Sequence, residues 1–136
     1  MTDIGLMLLA VIVLAFFLLK KANNTEPSTQ DASGYATLTP LQAKKRMDKE
    51  KDIIILDVRT PMEYAEGHLP NNILIPFNDL ETKASKKLPD KETTIFVYCA
   101  RGDKSRAASK KLVFLGYTKI FNIGGINEWP YEIIKN

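Results

Sequence analysis

Three short apolar runs, at 53–56, 73–75 and 95–98, restrict the possible folds of this chain, and 119–123 is a fourth candidate strand. The three runs are rich in β-branched and aromatic residues and do not alternate with polar ones, which is typical of strands buried on both faces. Segments with helical patterns separate the runs. Because buried strands that alternate with helices form parallel sheets covered on both sides, the sequence predicts an α/β domain. The predicted helices are 40–49, with Thr39 as N-cap and Pro40 first, then 61–66, 77–87 and 104–115.

A different pattern occupies the N-terminus, where the run "IGLMLLAVIVLAFFLL" at 4–19 is continuously apolar. At about 1.5 Å per residue it covers most of a bilayer core of about 30 Å. A cleavable signal peptide would need a basic start and a small-residue cleavage site. Thr2 and Asp3 precede the run instead, and no such site follows it. We therefore predict an uncleaved transmembrane helix as an anchor at 1–21.

The charges that flank this run predict the topology. Lys20 and Lys21 follow it directly, so the positive-inside rule places the bulk of the chain in the cytoplasm. The segment 22–37 is small, polar and without period, which indicates a flexible linker. The folded domain is predicted at 38–136, a length that can bury a single core.

Charge and cysteine content exclude several kinds of function. The formal net charge is only +3, and basic residues are scattered among acidic ones, which argues against nucleic acid as a partner. A single cysteine excludes an intramolecular disulfide and a cysteine-only metal site. His68 is the only histidine, so the sequence offers no metal-ligand set, and we expect no cofactor.

The single cysteine, Cys99, directly follows the third apolar run, where parallel sheets bind ligands. Gly102 permits a tight turn, and Asp103 or Ser105 could cap the next helix. Backbone N–H groups at such a helix start would stabilise an anion, including a thiolate. Positive charge nearby would also stabilise the thiolate, and it comes from Arg101, Lys104 and Arg106.

A buried cysteine that only packs in the core is the alternative interpretation of Cys99, because free cysteine behaves as a small apolar residue. A packing cysteine would more naturally lie inside the apolar run. Cys99 instead lies at its end, beside Arg101 and Asp103. The position therefore favours a nucleophile.

Three motifs make the chain resemble the rhodanese family from about residue 39 to residue 129. The first motif is "LDVR" at 56–59, followed by "EY" at 63–64 and "GHLP" at 67–70. The second is the loop "CARGDKS", with Cys, Gly and Ser at the spacing of the family's catalytic loop. The third is "LGY", then "GGI" and Trp129, which is similar to the end of the family's domain. The order and spacing of all three imply the rhodanese-like three-layer fold with a central parallel sheet.

The resemblance implies a thiosulfate sulfurtransferase. Cys99 would carry a sulfane sulfur as a persulfide, taken from a donor such as thiosulfate and passed to cyanide or a thiol acceptor, for example a redox protein. No metal or organic cofactor is implied. The residues that would bind the substrate by similarity are Ala100, Arg101, Gly102, Asp103, Lys104 and Ser105.

Several positions depart from the family pattern and leave the identity of the sulfur donor open. Lys104 stands where many members have arginine, so a bidentate grip on an oxyanion is replaced by a point charge. Asn71 and Asn72 replace a usual Gly-Ala pair, and Leu74 replaces a common Asn or His. We expect these last changes to alter the turn and the pocket wall.

Three alternatives from other classes remain. A cysteine phosphatase of this fold would need an arginine six residues after the cysteine, where this chain has Ser105 and only then Arg106. A membrane-tethered docking module without activity is the second. The third is a redox role for Cys99 through a mixed disulfide with a partner. Asp57, Arg59 and His68 are interpreted as structural residues, with a site on the rim of the pocket as the alternative for His68.

Overall fold

The computed structural model describes residues 3–22, 30 and 32–136. Helix α1 (Asp3–Ala22) precedes the domain, in which strands and helices alternate. The strands are β1 (Ala36–Thr37), β2 (Ile54–Asp57), β3 (Asn72–Leu74), β4 (Thr94–Cys99) and β5 (Lys119–Gly125). The helices are α2 (Pro40–Lys49), α3 (Pro61–Glu66), α4 (Leu80–Lys87) and α5 (Asp103–Phe114), with 3-10 turns at Phe77–Asp79 and Ile126–Glu128.

Within the described residues, the strands form one five-stranded sheet in the order β1-β5-β4-β2-β3. Every pairing between neighbouring strands is parallel, which confirms the central parallel sheet. Strand β4 lies in the middle, and its side chains alternate between two apolar clusters. Val97 and Cys99 pack with α5 on one face, while Phe96 and Tyr98 pack with Ala43 of α2 on the other. Two covered faces give the three-layer architecture that the sequence predicts.

Two helices of the domain begin with the same local signal. Thr39 accepts the Gln42 N–H through its hydroxyl at 3.2 Å, and its own N–H donates to the Gln42 side chain at 2.9 Å. Thr60 and Glu63 form the equivalent pair at the start of α3, and a proline follows each threonine. These capping boxes satisfy backbone donors that a helix start leaves open. The predicted N-cap at Thr39 is confirmed.

The sheet begins two residues inside the segment predicted as linker. Strand β1 pairs with β5, with Ala36 opposite Phe121, and both Tyr35 and Ala36 are buried. A two-residue strand has no periodicity to detect, so the sequence pattern misses it. The end of the linker at residue 37 is therefore corrected to a position before Tyr35. Residues 23–29 and 31, most of the remaining linker, lie outside the described part of the chain.

Helix α1 covers residues 3–21 of the predicted anchor. Large apolar side chains on it are exposed, including Ile4 at 74% and Met7 at 72%. Among the described residues, no helix meets the length and apolarity needed to cross a membrane. The anchor and its topology remain predictions from the sequence.

Candidate active site

Cys99 is the last residue of β4, and its side chain is 1% exposed. It lies on the sheet face that α5 covers, because odd-numbered residues of β4 point to that side. A short turn then leads into α5, which begins at Asp103. The predicted position, at the carboxyl end of a strand and before a helix, is confirmed.

The turn between Cys99 and α5 directs a backbone donor at the sulfur. Gly102 has φ +101°, a left-handed conformation that glycine adopts easily, and its N–H donates to Cys99 Sγ at 2.9 Å. Within the described part of the chain, no side chain caps the N-terminus of α5. Capping by Asp103 or Ser105, suggested from sequence, is wrong because Gly102 occupies the cap position. The open helix end is free to stabilise an anion.

The seven predicted site residues separate into a buried and an exposed group. Cys99 and Ser105 are buried, and Ala100 and Gly102 are half-buried. The charged members are exposed at the entrance to the turn; they are Arg101, Asp103 and Lys104. The sulfur is therefore surrounded by backbone and hydroxyl groups, with the charges further out.

Ser105 links the sulfur to strand β5. Its Oγ lies 3.4 Å from Cys99 Sγ and 2.8 Å from Asn122 Oδ1. Asn122 also accepts the Gly124 N–H at 3.0 Å and is 5% exposed. The sequence reasoning did not identify Asn122. The available signal was a single amide inside the apolar run 119–123, because a polar residue buried there needs a partner.

A β-bulge brings two glycines of β5 next to the cysteine. Val97 pairs with Asn122 but Tyr98 pairs with Gly124, so Ile123 is an extra residue in β5. The shift sets Gly125 opposite Cys99. A Cβ on Gly125 would overlap the Ala100 carbonyl oxygen and lie 2.7 Å from Arg101 Cα. The loop can occupy its place only because Gly125 has no side chain.

We expect Gly125→Ala to lower any activity of Cys99 by about 100-fold, because displacing reacting groups by about 1 Å can cost that much. Gly124→Asn is the matched control. At Gly124, with φ +86°, an added Cβ would meet nothing within 4 Å, and asparagine tolerates positive φ. The alkylation rate of Cys99 and the melting temperature of both variants check this. Equal behaviour of the two variants would contradict the steric explanation.

Asp57, Arg59 and Tyr98 form a second polar network, on the face of the sheet opposite Cys99. Arg59 Nη2 lies 2.8 Å from Asp57 Oδ2, and Tyr98 Oη donates to the same oxygen at 2.7 Å. Asp57 is fully buried and Arg59 is 6% exposed. Burial, then the hydrogen bond to Asp57, raises the pKa of the Tyr98 hydroxyl. The structural interpretation of Asp57 and Arg59 is confirmed.

His68 and Trp129 are both buried and pack against tyrosine rings. The His68 ring stacks on Tyr64 with centroids 4.0 Å apart, and its Nδ1 lies 2.9 Å from the Leu69 carbonyl oxygen. Trp129 is 7% exposed and packs edge-on against Tyr131. These contacts agree with the structural interpretation of His68, which stays a prediction. Within the described residues, no cluster of His, Cys, Asp and Glu could hold a metal ion.

The departures from the rhodanese pattern at 71–72 lie near Tyr98. Asn71 has φ 54°, the left-handed conformation in which glycine would be free of strain. Asn72 Nδ2 donates to Tyr98 Oη at 2.6 Å. These residues therefore shape the turn and support the second network, on the face of the sheet opposite the sulfur.

Comparison with known proteins finds relatives that are named sulfurtransferases. The thiosulfate sulfurtransferase PspE of Escherichia coli K12 is 36% identical over 80 residues, 59% of this chain and 77% of that protein. The thiosulfate sulfurtransferase GlpE of Coxiella burnetii is 32% identical over 96 residues, 70% of this chain and 87% of that protein. The adenylyltransferase and sulfurtransferase uba4 of Ogataea parapolymorpha is 36% identical over 93 residues, but the match spans only 24% of its length.

Solved structures that resemble this chain include rhodanese-like proteins. A rhodanese with anions from E. coli superposes with a TM-score of 0.58 at 32% identity, covering 62% of this chain and 99% of that one. A rhodanese-like domain protein from Staphylococcus aureus gives 0.63 at 27% identity, covering 74% and 97%. The model of the rhodanese-like domain matches residues 39–132. With the loop geometry around Cys99 and the three-layer parallel sheet, this match means that the chain belongs to the rhodanese-like domain family.

Proposed function

We propose that the protein is a rhodanese-type sulfurtransferase in which Cys99 carries the transferred sulfur. The observation that carries the proposal is the position of Cys99 Sγ, which receives the Gly102 N–H in front of the uncapped start of α5. Such a site stabilises both a thiolate and an anion that leaves it. The relatives named thiosulfate sulfurtransferase support the same class of reaction.

The proposed reaction has two displacements at sulfur. The Cys99 thiolate attacks the outer sulfur of thiosulfate, the S–S bond of thiosulfate breaks, and sulfite leaves with the bonding electron pair. The enzyme then holds a persulfide. A thiolate acceptor attacks the outer sulfur of that persulfide, takes it as its own persulfide and regenerates the Cys99 thiolate; cyanide would give thiocyanate. No external oxidant or reductant is needed.

The roles of the other loop residues follow from this scheme. Backbone N–H groups from Ala100 to Ser105 would hold the sulfonate group of the donor and the departing sulfite. Lys104 and Arg101, exposed at the entrance, would attract anionic donors from solution. Because Lys104 offers a point charge and no planar fork, we propose a small donor such as thiosulfate without a bidentate contact to this side chain.

Mass spectrometry after incubation with thiosulfate tests the proposal. We expect the purified protein to gain the mass of one sulfur atom at Cys99 and to release sulfite in equal amount. Dithiothreitol should remove the added mass, since it supplies an acceptor thiol. If neither the mass gain nor sulfite appears, the enzyme proposal fails and a docking module of the same fold becomes the better account.

We expect negligible phosphatase activity. The position where a phosphate-gripping arginine is needed holds Ser105, which is buried and bonded to Asn122. An aryl phosphate assay on the wild-type protein and on Cys99→Ser checks this. Turnover of the aryl phosphate that disappears in Cys99→Ser would contradict the expectation.

We also propose that residues 1–21 anchor the domain at a membrane with the domain in the cytoplasm. The support is the apolar run 4–19, its Lys20-Lys21 flank and the exposed apolar side chains of α1. A tether would raise the local concentration of the domain near a membrane partner. Protease added to intact cells should leave the domain undigested, and the protein should fractionate with membranes. Digestion of the domain, or a mature chain that starts after Leu19, would contradict the proposal.

A further inference from the structure

The polar side chains around Cys99 form a hydrogen-bond chain whose direction can be read from the backbone. The Gly124 N–H lies 3.0 Å from the Asn122 side chain, and a backbone N–H can only donate. The atom of Asn122 that faces it must therefore be the carbonyl oxygen, Oδ1. The same oxygen lies 2.8 Å from Ser105 Oγ. This oxygen cannot donate, and it is the nearest acceptor to Ser105 Oγ, since the carbonyl oxygens of Gly102 and Gly124 lie at 3.1 and 3.4 Å. We therefore assign the hydroxyl proton of Ser105 to the bond with Asn122.

This direction decides what Ser105 can offer to the sulfur. A hydroxyl has one proton, and that proton is engaged with Asn122. Towards Cys99 Sγ, 3.4 Å away, Ser105 can present only lone pairs, so it accepts the S–H of a neutral thiol. The loop donates one hydrogen bond to the sulfur, from the Gly102 N–H. The arrangement around Ser105 therefore fits the thiol.

A thiolate or a persulfide anion needs the opposite arrangement. Neither has a proton to give, so Ser105 can bond to the sulfur only if its hydroxyl turns away from Asn122. A hydrogen bond to an ionised sulfur is stronger than one between neutral groups, which favours the turn. Asn122 keeps the Gly124 N–H throughout. The other acceptors near the hydroxyl are more distant than Asn122 Oδ1, namely the Gly102 carbonyl oxygen at 3.1 Å and the Gly124 carbonyl oxygen at 3.4 Å.

We propose that Asn122 is a positioning residue that holds the Ser105 hydroxyl away from the sulfur and so favours the neutral thiol of Cys99. Turning of this one hydroxyl would accompany each ionisation or sulfur loading of the cysteine. Asn122 would thereby restrain the reactivity of the cysteine in the resting protein. The part of the proposal that concerns sulfur loading rests on the proposed function, whereas the direction of the hydrogen bonds does not.

The charged groups near the loop would be the same in the Ser105→Ala and Asn122→Leu variants below. Arg101, Asp103 and Lys104 are exposed on the loop and on α5, while Arg59 is paired with Asp57 across the sheet. Glu63 of α3 is also close, since Lys104 contributes to the lowered pKa of its carboxyl, after the larger effect of the Thr60 backbone hydrogen bond. A change in Cys99 reactivity in Asn122→Leu would therefore reflect the direction of the Ser105 hydroxyl.

Infrared spectroscopy can test the direction of the bonds, because the protein has a single cysteine and therefore one S–H stretching band. In the wild type we expect the band at the position of a hydrogen-bonded thiol. Ser105→Ala should move it to the position of a free thiol, and Asn122→Leu should move it part of the way. A band that is the same in all three proteins would overturn the proposal.

The rate of alkylation by iodoacetamide at neutral pH tests the effect on reactivity. Asn122→Leu should raise the rate about three- to tenfold, the factor that one neutral hydrogen bond represents. Asn122→Asp, of equal size, should lower it, since a carboxylate holds the hydroxyl more tightly and adds negative charge. In a Ser105→Ala background, Asn122→Leu should change nothing. A rate change that persists without the Ser105 hydroxyl, or no change in either single variant, would overturn the proposal.

These measurements separate two kinds of failure. Neither the S–H band nor alkylation requires a sulfur donor, so both remain informative if the protein takes no sulfur from thiosulfate. Melting temperatures of the variants identify any loss of folding, and Asn122→Asp serves if Asn122→Leu is unstable. Should the alkylation order hold while sulfur loading fails, the hydrogen-bond proposal stands and the proposed function does not.

Discussion

Cys99→Ala should abolish sulfur transfer from thiosulfate to cyanide or to a dithiol. The proposed reaction passes through a covalent bond to Cys99 Sγ, and the chain contains no second cysteine that could substitute for it. Alanine removes the sulfur and leaves only a small gap beside the α5 face of the sheet. The measurement is thiocyanate formation, together with sulfite release, in the wild type and the variant.

Cys99→Ser is the matched control for this experiment, because it keeps the size of the side chain and can still accept the Gly102 N–H. It should be folded like the wild type, with the same melting temperature to within a few degrees, yet inactive. Residual transfer in either variant would contradict a persulfide on Cys99. Loss of transfer together with loss of folding in both would leave Gly125→Ala and Gly124→Asn to test the loop.

Asp57→Ala should lower the free energy of unfolding by about 3–5 kcal/mol, the usual cost of leaving one partner of a buried ion pair alone. Asp57 is fully buried and accepts from Arg59 and from the Tyr98 hydroxyl. Without it, the phenol loses its acceptor, and the guanidinium loses its counter-charge and keeps only the carbonyl oxygens of Glu63 and Gly67. Urea denaturation measures the effect. A domain of this size has a total stability of about 5–15 kcal/mol, so partial unfolding is an expected outcome.

Two further variants make the result interpretable. Asp79→Ala removes the acidic partner of an exposed pair with Lys83, 3.2 Å apart, and should cost at most about 1 kcal/mol. Tyr98→Phe removes only the hydroxyl that donates to Asp57, and should cost about 1–3 kcal/mol. If Asp57→Ala costs no more than Asp79→Ala, the buried network does not contribute as described.

Much of the architecture could be predicted because its signals are local. Runs of β-branched residues favour extended backbone and burial, so β2 to β5 are visible in the sequence. The capping boxes at Thr39 and Thr60 each lie within four residues. The position of Cys99 at a strand end follows from the same patterns, and so does its place before a helix. These properties depend on neighbours along the chain.

The parts of the site that the sequence pattern missed depend on contacts across the fold. Asn122 meets Ser105 from 17 positions away, and the bulge at Ile123 exists only where β5 pairs with β4. Strand β1 is held by pairing with β5, since two residues have no preference strong enough to define a strand. The backbone at Gly125 has φ −105°, which any residue can adopt. Glycine is required there because the neighbouring loop leaves no room for a Cβ.

The alternating elements, the parallel sheet and the place of the cysteine at the end of a strand follow from local sequence patterns. The groups around the sulfur depend on long-range contacts: they are a backbone N–H from Gly102, a hydroxyl from Ser105 and, behind it, an amide from Asn122. The physical reason is that backbone preferences act over a few residues, whereas the direction of a buried hydrogen bond depends on every group packed around it.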